Sequence, residues 1–353
     1  MKKLSHYELL DCYEEFSWED IWKIYPMLST QDIILYYYLS KNYYTGEGNI
    51  VDGGVLGGGT TACISKGLIE NKKYNKDKNL LLIFDLFKDN VNSINITFLQ
   101  KHFNRDLFRY EDNFVDFEEV FHNNVEQYKQ SVNMIVHKGD LIDYDKYHYL
   151  NPIEILSIDI AKTPELMLHI CHVFFPHLIP GKSLVILQDW INIQLPFIHI
   201  AMNLFNEYFE DYHECPNGSS KVFLCTKKIT KDDVKRIIGQ KVEDYYYYSL
   251  SNIKLINMSI KSAVSTHNKV TSEGVLAKFY LDMGKTKTAE FHFIDTIVKY
   301  DLSMDFIMSE PFIDIYHYFK DIIIYYPQVY SRLKRQNSPP YLKTQQEDLQ
   351  SEA

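Results

Sequence analysis

Apolar positions along the chain fall into successive regimes. Over residues 1–45, Ile21, Ile24 and Leu28, then Ile34, Tyr37 and Tyr38, recur at helix-compatible spacing, which predicts a helical N-terminal segment. From about Asn49 the pattern changes to short β-rich runs, at 50–52, 80–84, 134–137, 153–159 and 184–188, with helical stretches between them. Strands alternating with helices predict a parallel sheet in an α/β fold. One connection reads in detail. After Asp159, Thr163 can cap a helix, Pro164 suits its first turn, and Glu165 favours its positive end. Leu166, Met167, Ile170, Phe174 and Leu178 form an apolar stripe, Pro180-Gly181 stops the helix, and a strand-like run follows from Leu184.

A helix around 196–209 precedes the segment DYHECPNGSSKVFLCTKK, in which the runs 212–215 and 221–226 flank the turn-forming residues Pro216, Asn217, Gly218, Ser219 and Ser220. An antiparallel hairpin therefore closes an otherwise parallel sheet. The expected fold is a doubly wound α/β architecture with a seven-stranded, mostly parallel sheet and helical additions at both ends. Thr230 to Asp233 reads as another helix start, and the chain to about Arg335 is mostly helical and rich in aromatics, including the tyrosines at 245–248 and a dense apolar segment at 306–326. The expected divisions are 1–45 (N-terminal helices), 46–229 (the α/β domain), 230–335 (a helical extension that packs on the core or forms a homo-oligomer) and 336–353 (a polar, disordered tail containing Pro339-Pro340).

Composition narrows the function classes. The chain has 353 residues, 46% hydrophobic and 24% charged, enough to bury a full core. No run reaches the roughly 20 apolar residues of a membrane span. The first 25 residues mix acids, aromatics and lysines and resemble no targeting peptide, so a cytoplasmic protein is expected. A net charge of −10 argues against nucleic acid as a partner. The five cysteines form no ligand-like pair and read as buried apolar residues in a reducing compartment.

The chemistry centres on IVDGGVLGGGTT, residues 50–61. A strand ends at Asp52, five glycines follow within seven residues, and a helix can begin at Thr60 or Thr61. Glycine permits positive φ and close approach to the backbone, and a helix start offers free N–H groups to a carboxylate. Asp52 can offset a ligand's positive charge. Gly53, Gly54, Gly58, Gly59, Thr60 and Thr61 complete this candidate binding loop. It is not a P-loop, because Gly59 is followed by Thr rather than Lys. A dinucleotide fingerprint normally lacks an acid where Asp52 stands, since it would face the pyrophosphate. Asp85, ending the next strand, can accept two hydrogen bonds from ribose hydroxyls, and Gly139-Asp140 after a third strand can border a base. His169, His172 and His177 read as helix-face residues, and the tyrosines at 245–248 as packing residues that could also stack on an acceptor.

Taken in order, DGGVLGGGTT, FDLF, HKGDLID and LSIDIAKTPELMLHICHVFFPHLIPGKSLVILQDW resemble the macrocin O-methyltransferase family over roughly residues 49–226. The closing hairpin is also what a class I methyltransferase has and a plain dinucleotide-binding fold lacks. The resemblance implies transfer of a methyl group from S-adenosylmethionine to a hydroxyl of a sugar, glycan or secondary metabolite. It also implies a divalent metal between the aspartate of the family's HID motif and two terminal acids. Asp159 and Asp189 match those positions, but Gln188 replaces the first acid of the pair. Two carboxylates and an amide make a weaker Mg²⁺ site than three carboxylates, so a metal at Asp159, Gln188 and Asp189 is disfavoured. Asp159 and Asp189 are then the candidate catalytic groups, and Lys162 on the same loop could act on the acceptor if burial lowered its pKa. The alternatives are a methyltransferase-like binding or scaffold protein without turnover, favoured by the incomplete acidic triad, and a less favoured nucleotide-sugar or dinucleotide oxidoreductase.

Overall fold

The computed structural model describes residues 4, 6–143, 152–216, 218–239 and 250–307. The tyrosine run 245–248, most of the apolar segment 306–326 and the tail 336–353 lie outside the described residues. The chain divides into two compact units, residues 1–190 with 197–247, and residues 191–196 with 248–353.

The first unit opens with α1 (His6–Glu15), α2 (Trp18–Trp22) and α3 (Thr30–Tyr38), followed by β1 (Asn49–Gly53), α4 (Gly59–Glu70) and β2 (Leu81–Asp85). Next come β3 (Lys88–Asn90), α5 (Ile94–His102), β4 (Arg109–Glu111), β5 (Phe114–Asp116), α6 (Glu118–Val125) and β6 (Met134–Lys138). The unit continues with β7 (Ile153–Ile158), α7 (Pro164–Phe174), β8 (Leu184–Leu187), α8 (Pro196–Leu204), β9 (Phe209–Glu214), β10 (Lys221–Cys225) and α9 (Lys231–Ile238). The main sheet has seven strands in the order β6-β2-β1-β7-β8-β10-β9. The pairs from β6 to β8 are parallel, and β10 runs antiparallel to both β8 and β9. The expected sheet and its closing hairpin are therefore present. A second, three-stranded antiparallel sheet of order β3-β5-β4 was not expected. Its strands are three residues long and mostly exposed, so they carry no apolar alternation to read.

Side-chain alternation places the two helical layers. Ile50, Leu81, Ile83, Ile155, Leu184 and Ile186 join one buried cluster with residues of α1, α3, α4 and α6. On the other face, Phe84 meets Phe174 of α7 with ring centroids 5.6 Å apart. The start of α7 is as the sequence predicts, with Thr163 Oγ1 accepting from Leu166 N at 3.2 Å and Pro164 in the first turn. The helix stops earlier than expected, passing at Phe175–His177 into a 3-10 turn because Pro176 cannot continue it. Buried carboxylates fix both flanks of β1's neighbourhood. Glu154 accepts from the backbone N–H groups of Thr45, Glu47 and Gly48 at 2.5, 3.0 and 3.3 Å. Asp32 in α3 accepts from Ser219 N and Ser220 N at 3.2 and 3.1 Å, tying the N-terminal helices to the hairpin turn.

Helix α9, with its capping box of Thr230 and Asp233, buries Val234 and Ile238 and belongs to the first unit. The second unit consists, among the described residues, of α10 (Leu250–Ser262), α11 (Thr266–Asp282), α12 (Thr286–Tyr300) and a short helix at Met304–Ile307. Val270, Leu276, Phe279, Phe293 and Ile297 are buried there, and Glu273 pairs with His292 and Lys299 at 2.9 and 2.7 Å. No described helix is long and apolar enough to cross a membrane.

Candidate functional site

The parallel order reverses between β1 and β7. The chain moves from β1 outward through β2 to β6, then returns to place β7 on the other side of β1. In open α/β sheets, such a switch point leaves a crevice at the carboxyl ends of the strands. Here it holds a small, open cleft, about 40 Å³ in volume, lined by the loop after β1 (Gly54 to Gly57), Gly59 and Thr60 of α4, Asp159 after β7 and Gln188 after β8. Tyr25 to Leu28 and Leu99 complete the lining and were missed in the sequence, since nothing local marks them as neighbours of the loop.

The loop is built around two buried carboxylates. Asp52 Oδ2 accepts from the hydroxyls of Thr60 and Thr61 at 3.0 and 2.7 Å. Its other oxygen is buried without a well-aligned hydrogen bond. Burial pushes Asp52 up to about 6, against the pull of the Thr61, Thr60 and Ser157 hydroxyls. Asp85 Oδ2 accepts from Val55 N and Leu56 N at 2.8 and 3.0 Å, and its Oδ1 from Phe87 N at 2.7 Å. These bonds hold Leu56 and Phe87 at φ values of 48° and 52°, unusual for side-chain-bearing residues. A carboxylate offers about four acceptor sites. Three are already used by the backbone, which leaves Asp85 about one free acceptor site. Burial raises its pKa, with the three backbone N–H groups opposing.

The glycines serve protein contacts as well as a ligand. A Cβ at Gly54, where φ is +85°, would lie 2.6 Å from the carbonyl carbon of Asp159. One at Gly59 would lie 2.8 Å from Pro26 Cβ. The N-terminal strap thus rests on the first turn of α4, and Tyr25 is fixed by stacking on His102 at 4.3 Å. Gly139 donates its N–H to Asp85 O at 3.0 Å, which brings it to the end of β2. Asp140 is exposed and accepts from Ile142 N at 3.0 Å. Of the other loop residues, Gly53, Gly58 and Thr61 are buried at the loop's base.

Across the cleft, Lys162 Nζ donates to Asp159 Oδ1 at 2.6 Å and also bonds Asp189 Oδ2. Burial pushes Asp159 above the ordinary carboxylate range and the neighbouring Asp189 adds to it, while Lys162 pulls it down. For Lys162, whose side chain is half exposed, desolvation of the ammonium would lower the pKa, but the two carboxylates outweigh it and hold the group above its ordinary value. The condition under which Lys162 could serve as a base is therefore not met. Gln188 is buried and its Oε1 accepts from Tyr36 OH at 3.2 Å. Tyr36 is also within 3.1 Å of the Ser157 hydroxyl, and burial keeps its phenol protonated. Asp189 is positioned by its neighbour Trp190, whose backbone N–H donates to Ser219 O at 3.1 Å and whose carbonyl meets His199 Nε2 at 2.7 Å.

A parallel sheet with this switch point, an acid-headed Gly loop beside it and a strand inserted antiparallel next to the last are now all in place. The chain has the class I methyltransferase fold. No family model and no curated protein matches the methyltransferase-fold chain in sequence. Among solved structures it is similar to CalS11, a TDP-rhamnose 3'-O-methyltransferase of calicheamicin biosynthesis, at 15% identity and a TM-score of 0.41, over 62% of this chain and 91% of that one. It is similar to the O-methyltransferase NovP at 13% identity and a TM-score of 0.39, over 55% and 79% of the two chains. An O-methyltransferase from Bacillus cereus, solved with SAH, is 13% identical with a TM-score of 0.36, over 64% and 92%. The strand order itself carries the fold.

Asp52 also makes the free methyltransferase-fold unit less stable than it could be. Its folded pKa, about 6, lies above its ordinary value of 3.8. The folded state therefore holds the proton more tightly, and stability falls as pH rises through this window. The cost is absent below the lower value and fully present above the upper one. Asp52→Asn is expected to stabilise the free protein by up to about 3 kcal/mol at neutral pH, with little gain at about pH 4. Urea unfolding at the two pH values checks this, and equal stability of both proteins at neutral pH would show that Asp52 carries no such cost.

Proposed function

We propose that the chain is an S-adenosylmethionine-dependent O-methyltransferase acting on a hydroxyl of a sugar, glycan or secondary metabolite. The observation that carries this reading is the cleft at the switch point, with the Gly loop and the start of α4 on one side and Asp159, with Gln188, on the other. The first N–H groups of α4 precede its first helical bond, from Ala62 N to Gly58 O, and suit the donor's carboxylate. Asp52 lies beneath them as the buried counter-charge for the ammonium or sulfonium. Asp85 and Gly139 stand at the end of β2, on the ribose and adenine side. The acceptor class comes from the motif resemblance alone.

In the proposed step, a carboxylate of the Asp159–Asp189 pair takes the proton of the acceptor hydroxyl. The acceptor oxygen forms a bond to the methyl carbon as the methyl–sulfur bond breaks, and the electron pair stays on sulfur to leave a neutral thioether. In-line positioning and exclusion of water supply much of the rate. Calorimetry with S-adenosylmethionine and S-adenosylhomocysteine tests the donor half, and both are expected to bind. Failure of either to bind at millimolar concentration would remove the methyltransferase assignment. Binding without turnover on any hydroxyl acceptor would favour the alternative, a scaffold that retains only the donor site.

A further inference from the structure

The sequence resemblance implies a divalent metal held by the residues at 159, 188 and 189, and the side chains present do not fit one. Gln188 directs its amide oxygen to Tyr36 OH at 3.2 Å, so the one neutral oxygen that could replace the missing carboxylate already has one of its two lone pairs engaged. Both remaining carboxylates are bonded to the same ammonium, Lys162 Nζ, which stands between Asp159 Oδ1 and Asp189 Oδ2. Among the described residues no three His, Cys, Asp or Glu side chains converge on a common point.

We infer that the Lys162 ammonium is the resident cation of this site and stands where a divalent metal would otherwise bridge Asp159 and Asp189. The inference deepens the methyl-transfer reading and rests on it for the meaning of the site. Charge balance supports the exchange. Three carboxylates around a divalent ion leave one net negative charge, and so do two carboxylates, an amide and an ammonium. The change of acid to amide at Gln188 and the presence of Lys162 are then one substitution in two parts. Either part alone would leave the cluster out of balance.

The local backbone also points to a role for the lysine. Lys162 N donates to Ile160 O at 2.8 Å, a tight turn at Ala161 that folds the loop back toward Asp159. Thr163 is the N-cap of α7, so Lys162 precedes the positive end of a helix, where a cation is disfavoured. The helix does not explain its placement, whereas the carboxylate pair does. An ammonium donates hydrogen bonds and attracts an anion, but it offers no open coordination position. In this site it screens the two carboxylates from each other and orients them, and proton removal from the acceptor falls to a carboxylate.

The test is Mn²⁺ binding to the full chain, followed by electron paramagnetic resonance, which needs neither donor nor turnover. The wild type is expected to show no bound Mn²⁺ at up to about 1 mM, the weak end of carboxylate sites. Restoring the acid and removing the lysine, in the double variant Lys162→Ala with Gln188→Glu, is expected to tighten Mn²⁺ binding at least about 100-fold. Lys162→Met alone is expected to give a smaller gain, which keeps the idea testable if the double variant does not fold. Stoichiometric Mn²⁺ on the wild type at micromolar concentration would overturn the inference, because the metal would then displace the lysine. So would a folded double variant, or a folded Lys162→Met protein, that binds Mn²⁺ no better than the wild type. S-adenosylhomocysteine binding, measured separately by calorimetry, reports on the methyltransferase reading, so failure of one leaves the other standing on its own result.

Discussion

Asp85→Ala is expected to lower the unfolding free energy by about 3–5 kcal/mol, because it leaves two buried backbone donors and one half-buried one without their acceptor. Those donors are the N–H groups of Val55, Leu56 and Phe87. They hold the Gly loop against the end of β2, so their release also disorders the donor cleft. Binding of S-adenosylhomocysteine is expected to weaken by at least about 1.5–3 kcal/mol, the scale of hydrogen bonds to a charged group. Asp85→Asn keeps one acceptor oxygen but turns an amide N–H toward a backbone donor, and is expected to fall between the two. The measurement is urea unfolding followed by tryptophan fluorescence. All three tryptophans, Trp18, Trp22 and Trp190, lie in the first unit, so the signal reports on the sheet that carries the loop. An Asp85→Ala protein that unfolds at the wild-type urea concentration would show that the loop is held by other means.

Gly54→Ala carries the second large effect, by a different mechanism. The position needs a left-handed backbone at φ +85°, and a Cβ there would sit 2.6 Å from the Asp159 carbonyl carbon and 2.7 Å from Ile160 N. Both are backbone atoms of the loop after β7, so no side-chain rotation can relieve the clash. The ends of β1 and β7 must separate, and Gly54 N loses its alignment with Phe84 O, now 2.9 Å away. The expected cost is about 3 kcal/mol or more, combining the left-handed penalty with the steric one. Donor binding is expected to be lost, since the same separation reshapes the cleft. Gly181→Ala is the control, because φ there is +73° but a Cβ would meet nothing within 4 Å. It isolates the conformational part, about 1–2 kcal/mol. Equal urea midpoints for the two variants would mean that the close approach of Gly54 to Asp159 is not maintained in solution.

The periodicity of apolar residues determined much of the first unit. Runs ending at Asp52, Asp85 and Asp159 are strands because short apolar stretches bounded by turn residues bury on both faces of a parallel sheet. The caps of α7 and α9 were legible because capping is a local hydrogen bond between residues three apart. The loop, the acids at the strand ends and the change of acid to amide at Gln188 could be read for the same reason, since each lies in a short contiguous motif.

Tertiary structure decided what those residues do. Asp85 reads as a ribose acceptor in sequence, but the fold brings the N–H groups of Val55 and Leu56 to it from thirty and twenty-nine residues away. The strap Tyr25 to Leu28 joined the cleft only through packing against α4, a contact that no motif encodes. Lys162 reads in sequence as a loop lysine whose pKa burial would shift downward. Its character is set by Asp159, three residues away, together with Asp189, twenty-seven residues away, because Coulomb attraction depends on distance in space, and only the pairing of β7 with β8 brings the second acid close.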